Sequence, residues 1–249
     1  MFSPALRHRQ RVLAELAGAA PHAEHLAPEP PSADTQAGQE YAALRVLLHD
    51  NLRTLADIAS IEARNPKKAE FAHAFADWIE GVLAAGEQGH AAQDEILVTN
   101  MVWAIDYRDF DYALRIGAHV LRFNLVMPER YNRTAACFLA EDIATVALTQ
   151  QDLVTLEQLL QVLALVDGAD MPDPAKAKLH KAIGRAYRSR ADDFDPSADN
   201  APAGGKAAFA DEALTHFKRA LKLDDDVGVK TDIREVERQI KKLSEESGA

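Results

Sequence analysis

The chain reads as all-α. Its apolar content is dominated by Ala and Leu, aromatic residues make up only 6% of it, and runs of Val, Ile, Thr and Tyr bounded by turn signals are nearly absent. A length of 249 residues, with 47% apolar and 27% charged, is enough to bury a sizeable core. No stretch approaches the roughly 20 unbroken apolar residues of a membrane span. The opening MFSPALRHRQRVLAELAGAA is basic and amphipathic without an apolar leader core, so the chain is expected to stay in a cytoplasm. Cys137 is the sole cysteine, which excludes intrachain disulfides and multi-cysteine zinc sites. Its helical setting, TAACFLAEDIA, marks it as a small core residue.

The first helix is expected from Ser3, an N-cap followed by Pro4 at the favoured first position, to about Gly18. It carries Arg7, Arg9 and Arg11 and forms a basic arm over residues 1–18. Residues 19–39 hold Pro21, Pro28, Pro30 and Pro31 and neither Lys nor Arg, the composition of a linker. A helical core domain is expected over residues 40–194. It opens with one long helix from Glu40 to Arg64, ended by Asn65-Pro66. Along it Tyr41, Leu44, Leu48, Asn51, Leu55 and Ile58 recur at steps of three and four, a seam suited to packing on the same chain or on a second copy.

Phe71, Phe75, Trp78, Ile79, Val82 and Leu83 share one face of the next helix, expected from Pro66 to Ala85. Ala91–Ile105 and Phe110–Asn124 follow, then Thr134–Thr149 and Asp152–Asp167. Trp78 and Trp103 stand among apolar residues at helical spacing and belong to the core. Residues 195–206 form a Pro- and Gly-containing loop, and residues 207–249 a C-terminal helix pair. Its ADEALTHFKRALKLD alternates small and large apolar residues as tetratricopeptide-like units do. Helical hairpins stacked in a solenoid-like array are therefore expected.

Two charge features point to function. Between Pro174 and Asp192 a chain of net charge -11 carries Lys176, Lys178, Lys181, Arg185, Arg188 and Arg190 and no acid. At about 100° per residue Lys178, Lys181, Arg185 and Arg188 align, opposite Leu179, Ala182, Ile183, Ala186 and Tyr187. Such a stripe attracts a phosphate backbone through its field and through counterion release, and also suits a plain solvated face. The second feature is the acidic set Asp94, Glu95, Asp106, Asp109 and Asp111. Carboxylates suit Mg²⁺, which activates water and neutralises charge in phosphodiester hydrolysis. Asp94 and Glu95 stand in the first turn of one helix and Asp109 opens the next, where they would cap exposed amides.

Other signals are weaker. His22-x-x-His25 lacks a third ligand, and His49-Asp50 lacks the further His and Asp of a phosphohydrolase site. A Walker phosphate loop, a dinucleotide fingerprint and a nucleophile elbow are all missing from the sequence, which argues against an ATPase, a dinucleotide enzyme and an α/β-hydrolase.

Four segments in order, SPALRHRQRV at 3–12, AAQDEILVTNMVWAIDYRDFDYAL at 91–114, DMPDPAKAKLHKAIGRAYR at 170–188 and ALTHFKRALKLDDDVGVKTDIREVERQIK at 213–241, carry a family resemblance. The chain resembles the small terminase subunit of temperate tailed phages, the type labelled the terminase endonuclease subunit. The resemblance implies a DNA-packaging role in a bacterial host cytoplasm. Double-stranded phage DNA and a large terminase ATPase subunit would be its partners, and a homo-oligomer its working form. The family label adds cleavage at cohesive ends, for which Mg²⁺ would be the cofactor and the five acids the candidate residues. Arg7, Arg9, Arg11, Lys178, Lys181, Arg185 and Arg188 are the candidate DNA contacts. A helical scaffold binding only proteins is the alternative.

Overall fold

The structure, a computed structural model, describes residues 28–150, 152–195 and 205–247. Among the described residues there are helices and loops and no strand, as the Ala- and Leu-rich composition predicts. The expected arm with Arg7, Arg9 and Arg11, and the His22/His25 pair, lie outside the described residues.

Helix α1 spans Gln36–Ala56, with the Thr35 hydroxyl accepting from the Gly38 N–H at 3.0 Å. Gly38 backs onto the Ser32 carbonyl so closely that a Cβ would stand 1.8 Å from its oxygen. The helix thus begins inside the stretch read as linker, whose end packs on the body: the Gln93 N–H donates to the Glu29 carbonyl at 3.0 Å. The single helix expected from Glu40 to Arg64 is instead two. The first stops at Ala56, and α2 (Ile61–Ala72) restarts from Ser60, whose hydroxyl caps it. Pro66 lies within α2 and does not end it. It removes one backbone donor, and the cap and tertiary packing outweigh that loss.

A single 3₁₀ turn at His73–Phe75 leads into α3 (Ala76–Glu87), splitting the second expected helix. α4 (Glu95–Asp106) is the centre of the body, with every residue from Ile96 to Ile105 buried. Trp103, 1% exposed, meets the edge of Phe75 at 6.3 Å between centroids. α1, α2, α3 and α5 (Phe110–Arg122) surround α4. The seam of α1 is filled from within the chain, because Tyr41, Leu48, Asn51 and Leu55 are buried in this packing. Each large apolar side chain so buried contributes roughly 1.5–3 kcal/mol.

α6 (Ala135–Thr149) is capped by Thr134, and α7 (Leu156–Leu165) by a reciprocal capping box between Thr155 and Gln158. The expected start of α7 at Asp152 is too early. Asp152 takes a φ of 65°, so the chain turns there before the cap.

α8 (Asp173–Asp192) packs on α6 and α7 with one face and on α9 (Gly205–Leu223) with another. α10 (Lys230–Ser247) then pairs with α9. Ala191, Ala210, Ala213, Phe217, Ala220, Val229 and Val236 form a second, smaller apolar cluster beneath this pair. Gly184 permits the close approach of α8 to α9, since a Cβ there would lie 2.7 Å from the Phe217 ring. Among the described residues no helix is long and apolar enough to cross a membrane.

Candidate nucleic-acid interface

The aligned cations of α8 do project from one face, as their spacing predicts, but each is met by a partner in its own chain, three of them by acids. Lys178 Nζ donates to Glu141 Oε1 on α6 at 2.9 Å. Lys181 Nζ donates to the Val227 carbonyl in the α9–α10 loop at 2.6 Å. Arg185 reaches Asp232 on α10 at 3.5 Å. Arg188 reaches Asp232 at 3.2 Å and Glu235 at 2.7 Å. Just beyond, Arg190 pairs with Glu157 of α7 at 2.6 Å.

Those acids lie 33 to 47 positions away in sequence, so a local charge count does not find them. Electrostatically the stripe is a clasp. It fastens α10 and its preceding loop to α8, and α8 to α6 and α7. The effect on the partners is visible in Glu141, whose carboxyl is held below the usual range by the Lys178 hydrogen bond, against the opposing effect of burial. A groove of about 590 Å³ between α6, α7 and α8 repeats the pattern, since Arg185 and Arg190 share its walls with Asp152, Glu157 and Asp193. Its mixed charge does not make an anion site.

The five candidate metal ligands are also placed apart. Asp94, 1% exposed, caps α4, accepting from the Leu97 N–H at 2.9 Å and from Trp78 Nε1 at 2.7 Å. Burial raises its pKa in spite of these bonds. Asp109 caps α5 through the Tyr112 N–H at 3.1 Å. Asp106 pairs with Lys68 at 2.6 Å, and Asp111 accepts from Gln158 Nε2 at 2.7 Å.

Glu95 gathers Arg45, His49 and Arg130, at 3.3, 3.2 and 3.1 Å. Burial pushes its pKa up, but the hydrogen bonds from His49 and Arg130 outweigh that and hold it low. It ties α1, α4 and the α5–α6 loop together. Among the described residues no group of three or more His, Cys, Asp or Glu side chains is arranged to hold a metal ion. The acids therefore do not fit a Mg²⁺ site, and no hydrolytic step follows from them. Cys137 is buried, which raises its thiol pKa. That is the setting of a core residue and not of a nucleophile.

One cationic surface escaped the local reading. On α10 the exposed side chains include Lys230, Arg234, Arg238 and Lys241, at steps of four, four and three. The signal was present in KTDIREVERQIKK, but alternating acids conceal it until their partners are known.

The chain belongs to the phage small terminase subunit family. The family's sequence profile matches residues 45–174, from α1 to the start of α8. The chain is also 34% identical over 244 residues to the terminase endonuclease subunit of Escherichia phage P2, an alignment covering 97% of this chain and 87% of that protein. No solved structure matches it. Family membership supports a part in phage DNA packaging.

Proposed function

We propose that the protein is the DNA-engaging component of a packaging terminase, which binds double-stranded phage DNA in the host cytoplasm and delivers it to the large ATPase subunit as a homo-oligomer. The observation that carries this reading is the family match over most of the chain. The helical body fits an adaptor, since Asp94, Asp109 and the Lys68–Asp106 pair are committed to caps and an ion pair that keep its shape. In this reading the residues from 40 to 194 form the body, and those from 207 to 249 a tetratricopeptide-like docking pair in a solenoid-like stack. The alternation of Ala210, Ala213, Phe217 and Ala220 supports that description of the pair.

Among the DNA contacts read from the sequence, Arg7, Arg9 and Arg11 form the basic arm. Lys178, Lys181, Arg185 and Arg188 would each first have to leave a partner in their own chain. The name of the phage P2 relative suggests cleavage as well. The dispersal of the five acids favours binding over cutting in this chain. Anisotropy of a labelled duplex titrated with the purified protein tests the binding role. Affinity should fall steeply as salt rises, because phosphate contacts release counterions. No binding at low salt, together with co-purification with the large subunit, would replace it with a scaffold that contacts only protein.

A further inference from the structure

We propose that the outward row Lys230, Arg234, Arg238 and Lys241 of α10 is a contact surface for the phosphate backbone of double-stranded DNA. The proposal deepens the DNA-binding reading above and rests on it.

At about 100° per residue these four positions fall within an arc of about 80°, and at 1.5 Å per residue they extend over about 16 Å. All four side chains are exposed. Val236 is buried on the far side of the helix, with Ile233 and Ile240 half-buried against α9, so the row points away from the protein.

The acids that conceal the row in the sequence are occupied in the fold. Asp232 and Glu235 turn toward α8 and are taken by Arg185 and Arg188. Glu237 is taken by Lys218 of α9 at 2.9 Å. Glu245 stands 3.9 Å from Lys241, with both side chains mostly exposed, a pair too loose and too solvated to hold its lysine. The clasp on α8 therefore does a second thing: it takes up Asp232 and Glu235 and leaves Lys230, Arg234 and Arg238 directed outward. Exposed Lys222, one turn beyond Lys218 on α9, borders the same edge.

The rest of the molecule sharpens the effect. With a net charge of -11 the protein as a whole repels a polyanion, and a cationic edge orients the approach. A duplex carries one phosphate charge per about 1.7 Å of its axis, so a row of about 16 Å meets more phosphates than it has cations. Contacts from the row to phosphate would position the duplex and carry no sequence information.

The experiment measures anisotropy of a short labelled duplex against salt, for the full-length parent and for a variant with Lys230→Gln, Arg234→Gln, Arg238→Gln and Lys241→Gln. A charge-retaining variant with Lys230→Arg, Arg234→Lys, Arg238→Lys and Lys241→Arg runs alongside. The neutral variant should bind at least about tenfold more weakly at low salt and lose about three and a half units of log-log salt slope, at nearly one unit for each of four phosphate contacts. The charge-retaining variant should bind as the parent does. Parent binding with the neutral variant unchanged in affinity and slope would overturn the α10 surface and leave the DNA-binding reading intact. A parent that does not bind at low salt would overturn both. Should the neutral variant lose its helical circular dichroism, Arg234→Gln and Arg238→Gln are read singly, each expected to remove about one unit of slope; no change in either would sink the proposal.

Discussion

His180 on α8 and His216 on α9 face each other through their Nδ1 atoms, 2.9 Å apart. One ring must donate Nδ1–H and the other present a bare Nδ1, so the contact exists only while at least one of them is neutral. Tyr187 lies 5.7 Å from His216 between ring centroids, and Arg219 adds a positive charge near His180. The pair sits where the C-terminal helices join the body, and protonation there works against the joint.

The resulting pH dependence has a definite sign. Burial first, then the charges of His216 and Arg219, push His180 down to about 4, and burial lowers His216 as well. An unfolded histidine titrates near 6.5, so the unfolded chain takes up protons that the folded one refuses. Stability is complete above about pH 6.5 and lost progressively toward pH 4, at about 1.4 kcal/mol per pH unit for each proton taken up. Urea melts between about pH 7 and pH 5 should show this slope in the parent. It should be smaller in a His180→Gln, His216→Gln double variant. Equal slopes in the two proteins would remove the pair as its source.

Gly184→Ala should destabilise the α8–α9 joint. In an exposed helix this change gains about 1 kcal/mol. Here the new methyl would stand 2.7 Å from two carbons of the Phe217 ring, which is fully buried and cannot swing away. Overpacking of this kind costs about 1–3 kcal/mol, so a net loss is expected in thermal melts. Phe217→Leu in the same chain should return part of it. A Gly184→Ala protein as stable as the parent would show that the clash costs no more than the helical gain of about 1 kcal/mol.

Asp94→Ala should cost about 2–3 kcal/mol, by removing the cap of the central helix and leaving Trp78 Nε1 without its acceptor. Asp94→Asn keeps an acceptor oxygen and should cost less. The tryptophan emission should shift in the alanine variant. An Asp94→Ala protein with parental stability would return this carboxylate to the list of groups held for chemistry.

What the sequence discloses and what it hides divide along physical lines. Periodicity is local, so the apolar faces of α4 and α5, the capping roles of Asp94 and Asp109, and the core positions of Trp103 and Cys137 were legible. The break of α1 at Ala56 was not, because the apolar spacing runs on through Ile58 while Ser60 caps a second helix, and packing overrides the stop signal of Pro66. The α8 stripe was legible as charge and illegible as function. Asp232 and Glu235 are 40 to 50 residues away and reach it only after α9 has turned the chain back. The same long-range pairing hid the outward row of α10.

Asp232 is the residue on which this pairing turns, since it accepts from both Arg185 and Arg188 and its side chain is only 15% exposed. Asp232→Ala should loosen α10 from α8 and leave two cations without their partner. The expected loss is about 1 kcal/mol at low salt, modest because Arg185 and Arg188 keep partial access to water. Screening should shrink the difference between parent and variant as salt is raised. Melts of both proteins at low and high salt measure it, and hydrogen exchange along α10 should rise in the variant. A loss that is independent of salt would mean that Asp232 acts through packing. No loss at all would mean that the apolar cluster around Phe217 and Val236 holds the helix pair without the clasp.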